Sequence, residues 1–255
     1  MRKLYCNYIF DLYGTLVDIR TNEEEHVLWN KMSLFYGYYG ADYTPDELHE
    51  SYRTLVSAKE NAEKEQVHYA HEAYPEIPIE EVFQELYTNK GIQPSGELVL
   101  HTGQMFRVYS THHIRLYAGA RELLSALRKA GKGVYLLSNA QRIFTEYELF
   151  YLGIHDLFDG ILISSDYGCK KPDERFYKIL AEKYGVSAAE SLMIGNDMDT
   201  DIAGAARAGM DSFYIRSAIS PHAQTAVGTK HTHADYVMSR MNLLALKNRL
   251  LATDR

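Results

Sequence analysis

Cysteine and long apolar runs are scarce in this sequence of 255 residues. Its two cysteines, Cys6 and Cys169, lie in neither a CxxC pair nor a Cys/His spacing, so we expect free thiols in a reducing compartment. No apolar run approaches the ~20 residues that a membrane span needs. Asp11 interrupts the first apolar run, and no small-residue cleavage site follows it, which is not typical of a signal peptide. We therefore expect a cytoplasmic protein without a membrane partner.

Positive charge is also in deficit, since the formal net charge is −7. This balance argues against nucleic acid as a partner, because the phosphate backbone would be repelled. The hydrophobic content of 46% is ordinary for a globular protein, and the length suffices for one large or two modest domains. No internal repeat or low-complexity segment suggests another architecture.

Hydrophobic periodicity divides the chain into three parts. Residues 5–10 form a short apolar run that predicts a buried strand, and from about residue 116 short apolar runs alternate with amphipathic helices. This alternation predicts an α/β fold with a parallel sheet. Residues 19–115 show helical periodicity and no convincing strand, which favours a small helical bundle. We predict a core domain of residues 1–18 and 116–255, with residues 19–115 inserted after the first strand.

Polar segments follow four of the predicted strands at the points where the strands end. In an open α/β sheet the carboxyl ends of the strands meet at one edge, where the ligand site forms. We expect these segments to build one site because of this geometry. The segments are Asp11 with the glycine turn after it, Ser138-Asn139-Ala140, Lys171-Pro172-Asp173 and Gly195 to Asp201.

These residue types suit an attack on a phosphate group. A carboxylate such as Asp11 that attacks a phosphate faces like-charge repulsion, which a lysine such as Lys171 and a hard divalent cation offset. The cation also neutralises charge that develops on the phosphoryl oxygens. A backbone carbonyl can ligate a metal whatever its side chain, so the C=O of Tyr13 is a further candidate.

The four segments, in this order and spacing, resemble the four motifs of the haloacid dehalogenase (HAD) superfamily, and the resemblance covers the whole chain. The insertion after the first strand matches the position of the helical cap in that family. The resemblance implies a Rossmann-like parallel-sheet core with an inserted α-helical bundle cap domain. It also implies a hydrolase with an aspartate nucleophile.

The resemblance implies a role for each matching residue. Asp11 would be the nucleophile, Ser138 would bind the transferring phosphoryl group or a substrate carboxylate, and Lys171 would neutralise charge on Asp11 and the substrate. The candidate substrate-binding residues are Tyr13, Thr15 and Asn139. The implied cofactor is Mg²⁺, and its candidate ligands are Asp11, the carbonyl of Tyr13, Asn196 and Asp201, with Asp197 ranked below them.

The first of the four segments, at Asp11 (motif I), and the last, at residues 195–201 (motif IV), favour different members of the family. Tyr13 stands where phosphatases have a second aspartate, and the 2-haloacid dehalogenases, which use no metal, carry tyrosine there. However, the helix at residues 28–32 lacks the arginine that the dehalogenase cap uses for the halide. The loop at residues 195–201 holds three aspartates and an asparagine, which would repel one another without a cation. We therefore favour a Mg²⁺-dependent phosphatase acting on a small phosphorylated metabolite.

Tyr13 also removes the residue that normally supplies general acid–base catalysis, which is worth ~10²–10⁴-fold in rate. A phenol with a pKa near ~10 is not a base at neutral pH, so we expect a slow or specialised enzyme. A metal-free 2-haloacid dehalogenase is the second hypothesis, and a non-catalytic binding protein of the same fold is the third. We expect a monomer or a homodimer. Arg20 and Arg53 are the candidates to meet a substrate anion from the cap.

Overall fold

The computed structural model describes residues 3–65, 74–221 and 233–252. The described strands are β1 Asn7–Phe10, β2 Val17–Thr21, β3 Thr111–Leu116, β4 Gly133–Ser138, β5 Gly160–Ile163, β6 Ser191–Gly195, β7 Asp211–Ile215 and β8 Tyr236–Met238. The described α-helices are α1 His26–Tyr38, α2 Pro45–Glu65, α3 Ile79–Thr88, α4 Gly96–Ser110, α5 Ala120–Lys129, α6 Arg142–Tyr151, α7 Glu174–Tyr184, α8 Ala203–Arg207 and α9 Leu243–Leu251.

Six strands form a parallel sheet in the order β5-β4-β1-β6-β7-β8, as the α/β pattern predicts. The first strand of the chain lies inside the sheet, with Phe10 in register with Leu136 of β4 and Ile194 of β6. All three side chains are fully buried, which explains why these strands are apolar at consecutive positions. The register places the ends of β1, β4 and β6 side by side, so the segments that follow them share one edge.

The helices cover both faces of the sheet. One apolar cluster joins β1, β4 and β6 to helices α5 and α9, with Leu124 and Leu246 among its fully buried members. A second cluster lies on the other face and joins Met193 of β6 to Phe176 of α7. Alternate residues of β1 divide between the two clusters, since Tyr8 and Phe10 belong to the first and Ile9 to the second.

Helices α1 to α4 form a helical bundle, here called the cap, with an aromatic core in which Tyr36, Phe83 and Phe106 are fully buried. A capping box begins α2, because the hydroxyl of Thr44 accepts from the backbone N–H of Glu47 at 3.2 Å and the Glu47 carboxylate accepts from the N–H of Thr44 at 3.4 Å. Ser95 caps α4 by accepting from the N–H of Leu98. These local signals account for the accuracy of the helix prediction.

The expectation that residues 19–115 contain no strand is wrong. Strands β2 and β3 form an antiparallel ribbon that connects the cap to the core, and the predicted domain boundaries fall inside these two strands. Only Ile19 and Ile114 pack against the core from the middle of the ribbon, whereas Arg20 and Arg115 are exposed. Strands this short and this polar give no clear alternation of apolar residues, and the ribbon forms because the two ends of the insertion must meet.

Residues 74–76 of the cap lie against the loop that precedes Lys171. The backbone N–H of Glu76 donates to the carbonyl of Gly168 at 3.2 Å, and the N–H of Lys170 donates to the carbonyl of Tyr74 at 3.0 Å. The hydroxyl of Ser164 donates to the Glu76 carboxylate at 2.8 Å. The cap is therefore docked on the core beside a predicted catalytic segment. Among the described helices, none is both long enough and apolar enough to span a bilayer.

Replacing Leu136 with alanine should lower the free energy of unfolding by about 2–5 kcal/mol, because it leaves a cavity at the centre of the sheet. The matched control is Leu244→Ala, since Leu244 is 44% exposed and its loss should cost less than about 1 kcal/mol. Equilibrium unfolding in urea measures both values. Equal losses for the two variants would contradict the placement of β4 in the core.

Candidate active site

Asp11 directly follows β1 and extends its ladder by one bond, since its backbone N–H donates to the carbonyl of Ile194 at 3.0 Å. Its side chain is 11% exposed and opens at the carboxyl edge of the sheet. One carboxylate oxygen accepts from Nζ of Lys171 at 2.7 Å, and the other accepts from the hydroxyl of Thr15 at 3.0 Å. The predicted nucleophile is therefore fixed in orientation by two donors.

Lys171 lies between two carboxylates. Its ammonium group donates to Asp11 and to Asp201, each at 2.7 Å, and its side chain is 1% exposed. Burial alone would lower the pKa of Lys171, but the charges and hydrogen bonds of the two carboxylates outweigh burial and raise that pKa. Burial raises the pKa of Asp201, with Lys171 opposing the shift. The lysine is thus held as a cation in the interior.

A tight turn after Asp11 shapes the site. Gly14 has φ of +86°, and its N–H donates to the carbonyl of Val17 at 2.7 Å, while the N–H of Leu16 donates to the carbonyl of Leu12 at 2.8 Å. A Cβ atom at Gly14 would lie 2.2 Å from the amide nitrogen of Asn196. Glycine is required here both for the positive φ and for this close approach.

The amide of Asn196 meets Asp11 and the turn, and its two orientations have different consequences. With Oδ1 facing Asp11, this oxygen accepts from Thr15 at 3.2 Å, but it also lies 3.2 Å from the carbonyl oxygen of Tyr13 and 3.2 Å from Oδ2 of Asp11, with no proton between them. Turning the amide over places Nδ2 there, where its two N–H groups face these three oxygens as acceptors. In the first orientation, oxygens of Asn196, Tyr13 and Asp11 can surround a cation. In the second, the Asn196 amide donates to the oxygens of Tyr13 and Asp11, and no cation is needed.

The remaining acidic residues of motif IV have structural contacts. Asp197 accepts from the N–H of Asp199 at 2.8 Å and caps a π-helical turn at Met198–Ile202. The hydroxyl of Tyr177 donates to the carbonyls of Thr200 and Asp201 at 3.2 and 3.1 Å, which fixes the same turn from α7. Asp197 is therefore engaged within its own loop, whereas Asn196 and Asp201 face Asp11 and Lys171.

Ser138 and Asn139 end β4 at the same edge. The hydroxyl of Ser138 is fully buried and has no hydrogen-bond partner among the described residues, which leaves it free to donate to a bound anion. Asn139 was predicted to bind substrate, but the structure gives its amide another task. It donates to the carbonyl of Lys171 at 2.9 Å and accepts from the N–H of Lys171 at 2.8 Å, so it fixes the backbone that carries the lysine.

Tyr13 was also predicted to bind substrate, but its phenol is directed towards α6. The hydroxyl donates to the carboxylate of Glu148 at 2.5 Å and contacts the hydroxyl of Thr145 at 3.0 Å. Burial raises the pKa of the Tyr13 phenol far above its usual range, and the charge of Glu148 adds to this effect. The phenol is therefore a permanent donor that is already engaged, and only the carbonyl of Tyr13 faces Asp11.

Two residues that the sequence pattern does not single out, Arg107 and Glu148, hold this phenol. Arg107 of α4 donates from Nε to Glu148 at 2.6 Å and lies with its guanidinium carbon 5.6 Å from the centre of the Tyr13 ring. The predicted arginines Arg20 and Arg53 are instead exposed. The sequence does not show which of these arginines is buried, because a buried ion pair depends on contacts between residues distant in sequence.

The oxygens beside Asp11 fit a hard cation. The described residues contain no cluster of three or more His, Cys, Asp or Glu side chains that would hold a metal. The candidate set is instead mixed, with the carboxylate of Asp11, the carbonyl of Tyr13 and the amide oxygen of Asn196, and Asp201 lies across Lys171 from Asp11. Uncharged carbonyl and amide oxygens are normal ligands for Mg²⁺ and Ca²⁺.

Comparison with known proteins identifies a family and several relatives. A family model for haloacid dehalogenase-like hydrolases matches residues 7–209. Glyceraldehyde 3-phosphate phosphatase from Methanothermobacter thermautotrophicus is 30% identical over 107 residues, which cover 42% of this chain and 47% of that protein. The chain spans about half the length of the curated relatives that it matches.

Solved structures share the fold over nearly the whole chain. The HAD hydrolase YfnB from Bacillus subtilis, solved bound to magnesium, has 20% identity and a TM-score of 0.54, with 97% of this chain and 99% of that chain covered. An L-2-haloacid dehalogenase has 19% identity and a TM-score of 0.58, with 97% and 99% covered. At these identities the likeness shows the fold, which both chemistries share.

Replacing Lys171 with methionine removes the cation between two buried carboxylates. In metal-free buffer at pH 7 we expect the free energy of unfolding to fall by about 3–5 kcal/mol, because a broken buried ion pair leaves uncompensated charge. Burial and the charge of Asp11 raise the pKa of Asp201, so the folded variant binds more protons than the unfolded chain, and its stability should rise as the pH falls from 7 to 5.

Lys170→Met is the matched control, because Lys170 is 33% exposed and its ammonium lies 3.7 Å from Glu76. Its effect should stay below about 1 kcal/mol. Urea unfolding at both pH values measures the difference. A deficit in Lys171→Met that is the same at pH 5 and pH 7 would contradict the charge arrangement described above.

Proposed function

Because the chain belongs to the haloacid dehalogenase-like hydrolases, we propose that it is a Mg²⁺-dependent phosphatase of small phosphorylated metabolites. One arrangement carries this proposal: the Asn196 amide lies 3.2 Å from both the Tyr13 carbonyl and Oδ2 of Asp11, and when its oxygen faces them the three oxygens suit a divalent cation. The names of the relatives support it, since the matching curated proteins include several glyceraldehyde 3-phosphate phosphatases and a phosphoserine phosphatase.

In the proposed reaction, a carboxylate oxygen of Asp11 attacks the phosphorus of a phosphate monoester. A P–O bond to Asp11 forms as the bond to the substrate oxygen breaks, and water then cleaves the aspartyl phosphate to release inorganic phosphate. The ammonium of Lys171 stabilises the charge on Asp11 and the phosphoryl oxygens, and the Ser138 hydroxyl donates to one of those oxygens. The oxygens of Asp11, Tyr13 and Asn196 would hold Mg²⁺, which when bound would neutralise further charge on the phosphoryl group.

The proposed enzyme has no carboxylic acid at position 13 to protonate the leaving oxygen. The phenol of Tyr13 cannot replace it in this conformation, because its proton is donated to Glu148. Leaving groups that depart as stable anions do not need such help. We therefore propose that the enzyme prefers phosphate esters with good leaving groups.

Metal-free dehalogenation is the second candidate, and the alternative orientation of one side chain favours it. With Nδ2 of Asn196 turned towards Asp11, the amide satisfies the carbonyl of Tyr13 and the Asp11 carboxylate without a cation. Tyr13 itself fits the dehalogenase motif. In this reaction Asp11 would displace a halide from the carbon next to a carboxylate, and water would then cleave the resulting ester.

Phosphatase assays, a comparison of leaving groups and a dehalogenase assay separate the hypotheses. We expect hydrolysis of 4-nitrophenyl phosphate with Mg²⁺, loss of that activity in EDTA, and loss in Asp11→Asn, which keeps the shape and removes the nucleophile. Since the acid is missing, kcat/KM should fall by at least ~10²-fold from 4-nitrophenyl phosphate to an alkyl phosphate. Chloride release from 2-chloropropionate in EDTA would instead support the dehalogenase. No turnover of either substrate by the folded protein would leave the non-catalytic reading.

Replacing Asn196 with aspartate should raise the affinity for Mg²⁺ by about tenfold, because it adds a negative charge to the oxygen set and removes the amide donors that satisfy this set without metal. Isothermal titration with Mg²⁺ measures the affinity without relying on turnover. Asp197→Asn is the control, since Asp197 caps the following turn and its amide analogue can still accept from Asp199. Equal affinity in wild type and Asn196→Asp would rule out Asn196 as a ligand.

A further inference from the structure

Tyr13 connects the candidate active site to the cap through its two ends. Its carbonyl oxygen lies 3.2 Å from the Asn196 amide beside Asp11. Its hydroxyl donates to Glu148 of α6. Since Glu148 is in turn paired with Arg107 of the cap helix α4, a chain of contacts runs from the cap to the oxygens beside the nucleophile.

The ion pair between Arg107 and Glu148 is largely buried. The carboxylate side chain of Glu148 is 9% exposed and that of Arg107 is 17% exposed. Arg107 donates from Nε to one carboxylate oxygen at 2.6 Å and from Nη2 to the other at 3.4 Å, which is a two-donor arrangement. Its guanidinium also lies 5.2 Å from the centre of the Phe144 ring of α6 and 3.4 Å from the Tyr13 hydroxyl. The arginine is therefore enclosed by core groups.

The pairing gives the docked cap an electrostatic advantage. If the cap moved away, Glu148 would lose its cation, and Tyr13 would keep a donor bond to an uncompensated carboxylate. Glu23, at the beginning of the cap, also lies close enough to interact with Arg107 electrostatically, and burial raises the pKa of Glu23 while Arg107 opposes that shift. The stable arrangement of these charges requires the cap and the Tyr13 phenol to be in place together.

We propose that Arg107 is a positioning residue which, through Glu148 and the phenol of Tyr13, couples docking of the cap to the order of the turn at residues 12–17. The cap also contacts the core elsewhere, and strand β2 of the connecting ribbon begins at Val17 of this same turn. The ribbon of β2 and β3 forms the covalent connection, and Glu76 contacts the loop before Lys171. Arg107 thus links the cap to the turn that carries the carbonyl and the hydroxyl beside Asp11.

Hydrogen–deuterium exchange of the turn tests this coupling directly. The amides of Gly14, Leu16 and Val17 are hydrogen-bonded within the turn and should be protected. In Arg107→Gln we expect them to exchange about fivefold faster or more, because a lost hydrogen bond favours local opening by roughly that factor. Tyr13→Phe should give the same result, since it keeps the ring and the Arg107–Glu148 pair but removes the phenol.

Arg142→Gln is the matched control, because Arg142 lies on the same helix as Glu148, α6, and its ion pair with Asp166, at 2.6 Å, is on the surface. It should leave exchange in the turn unchanged. If Arg107→Gln does not fold, Arg107→Lys takes its place, since it keeps the charge and loses the second donor. Unchanged protection of the turn in a folded Arg107 variant, or in Tyr13→Phe, would overturn the proposal.

A kinetic arm rests on the proposed phosphatase activity and is read separately. If Arg107 only positions the turn, kcat for 4-nitrophenyl phosphate should fall about fivefold in Arg107→Gln while KM changes less than about twofold. A rise in KM with kcat unchanged would mean that Arg107 binds substrate, and it would overturn the positioning role. Absence of turnover in wild type would contradict the proposed function, whereas the exchange experiment would still decide the coupling.

Discussion

The ammonium of Lys171 between Asp11 and Asp201 is the interaction on which the rest of the site depends. Three groups that are costly to bury share one interior position, and each is stable there only because the others are present. They come from separate segments, so the parallel register of β1 and β6 and the path of the chain after β5 must be correct before the charges can balance. Asn139 and Tyr177 fix the backbones of Lys171 and Asp201 and so maintain the 2.7 Å contacts.

This constraint also explains the glycines of the site. A Cβ atom at Gly195 would lie 2.2 Å from the carboxylate of Asp201, and one at Gly14 would lie 2.2 Å from the Asn196 amide. Both positions admit no side chain because polar side chains pack directly on the backbone. The close approach allows backbone and side-chain oxygens to meet near the nucleophile, which a bulkier turn would prevent.

The parts of the structure that depend on local signals could be predicted from the sequence. Strand ends, the capping box at Thr44 and the cap of α4 at Ser95 each follow from a few neighbouring residues, and the motifs followed from their spacing. The β2–β3 ribbon could not be predicted, because its strands are short, polar and paired across the whole cap. Strand β8 and helix α9 also lacked a distinctive pattern near the end of the chain.

The arrangement of Arg107 and Glu148 had no sequence signal for a different reason. Each lies on a helix with alternating polar residues, where a charged side chain is normally solvated. Their burial is a property of the docked cap, since the partners are 41 residues apart and Tyr13 is 135 residues from Glu148. Tyr13 at motif I could be identified as unusual, but the direction of its phenol could not.

The contradiction between motif I and motif IV is reduced to two side chains with separable effects. The aromatic ring of Tyr13 is committed to α6, so its presence removes an acid from the site without obstructing the carbonyl that faces Asp11. The Asn196 amide presents either an oxygen or two N–H donors at nearly the same position. A cation favours the first orientation, because Oδ1 then becomes a ligand, and an empty site favours the second, because the N–H group then meets two acceptors. Asn196 therefore lets one scaffold satisfy its buried oxygens in both states, whereas an aspartate would leave an additional unpaired charge whenever the cation dissociates.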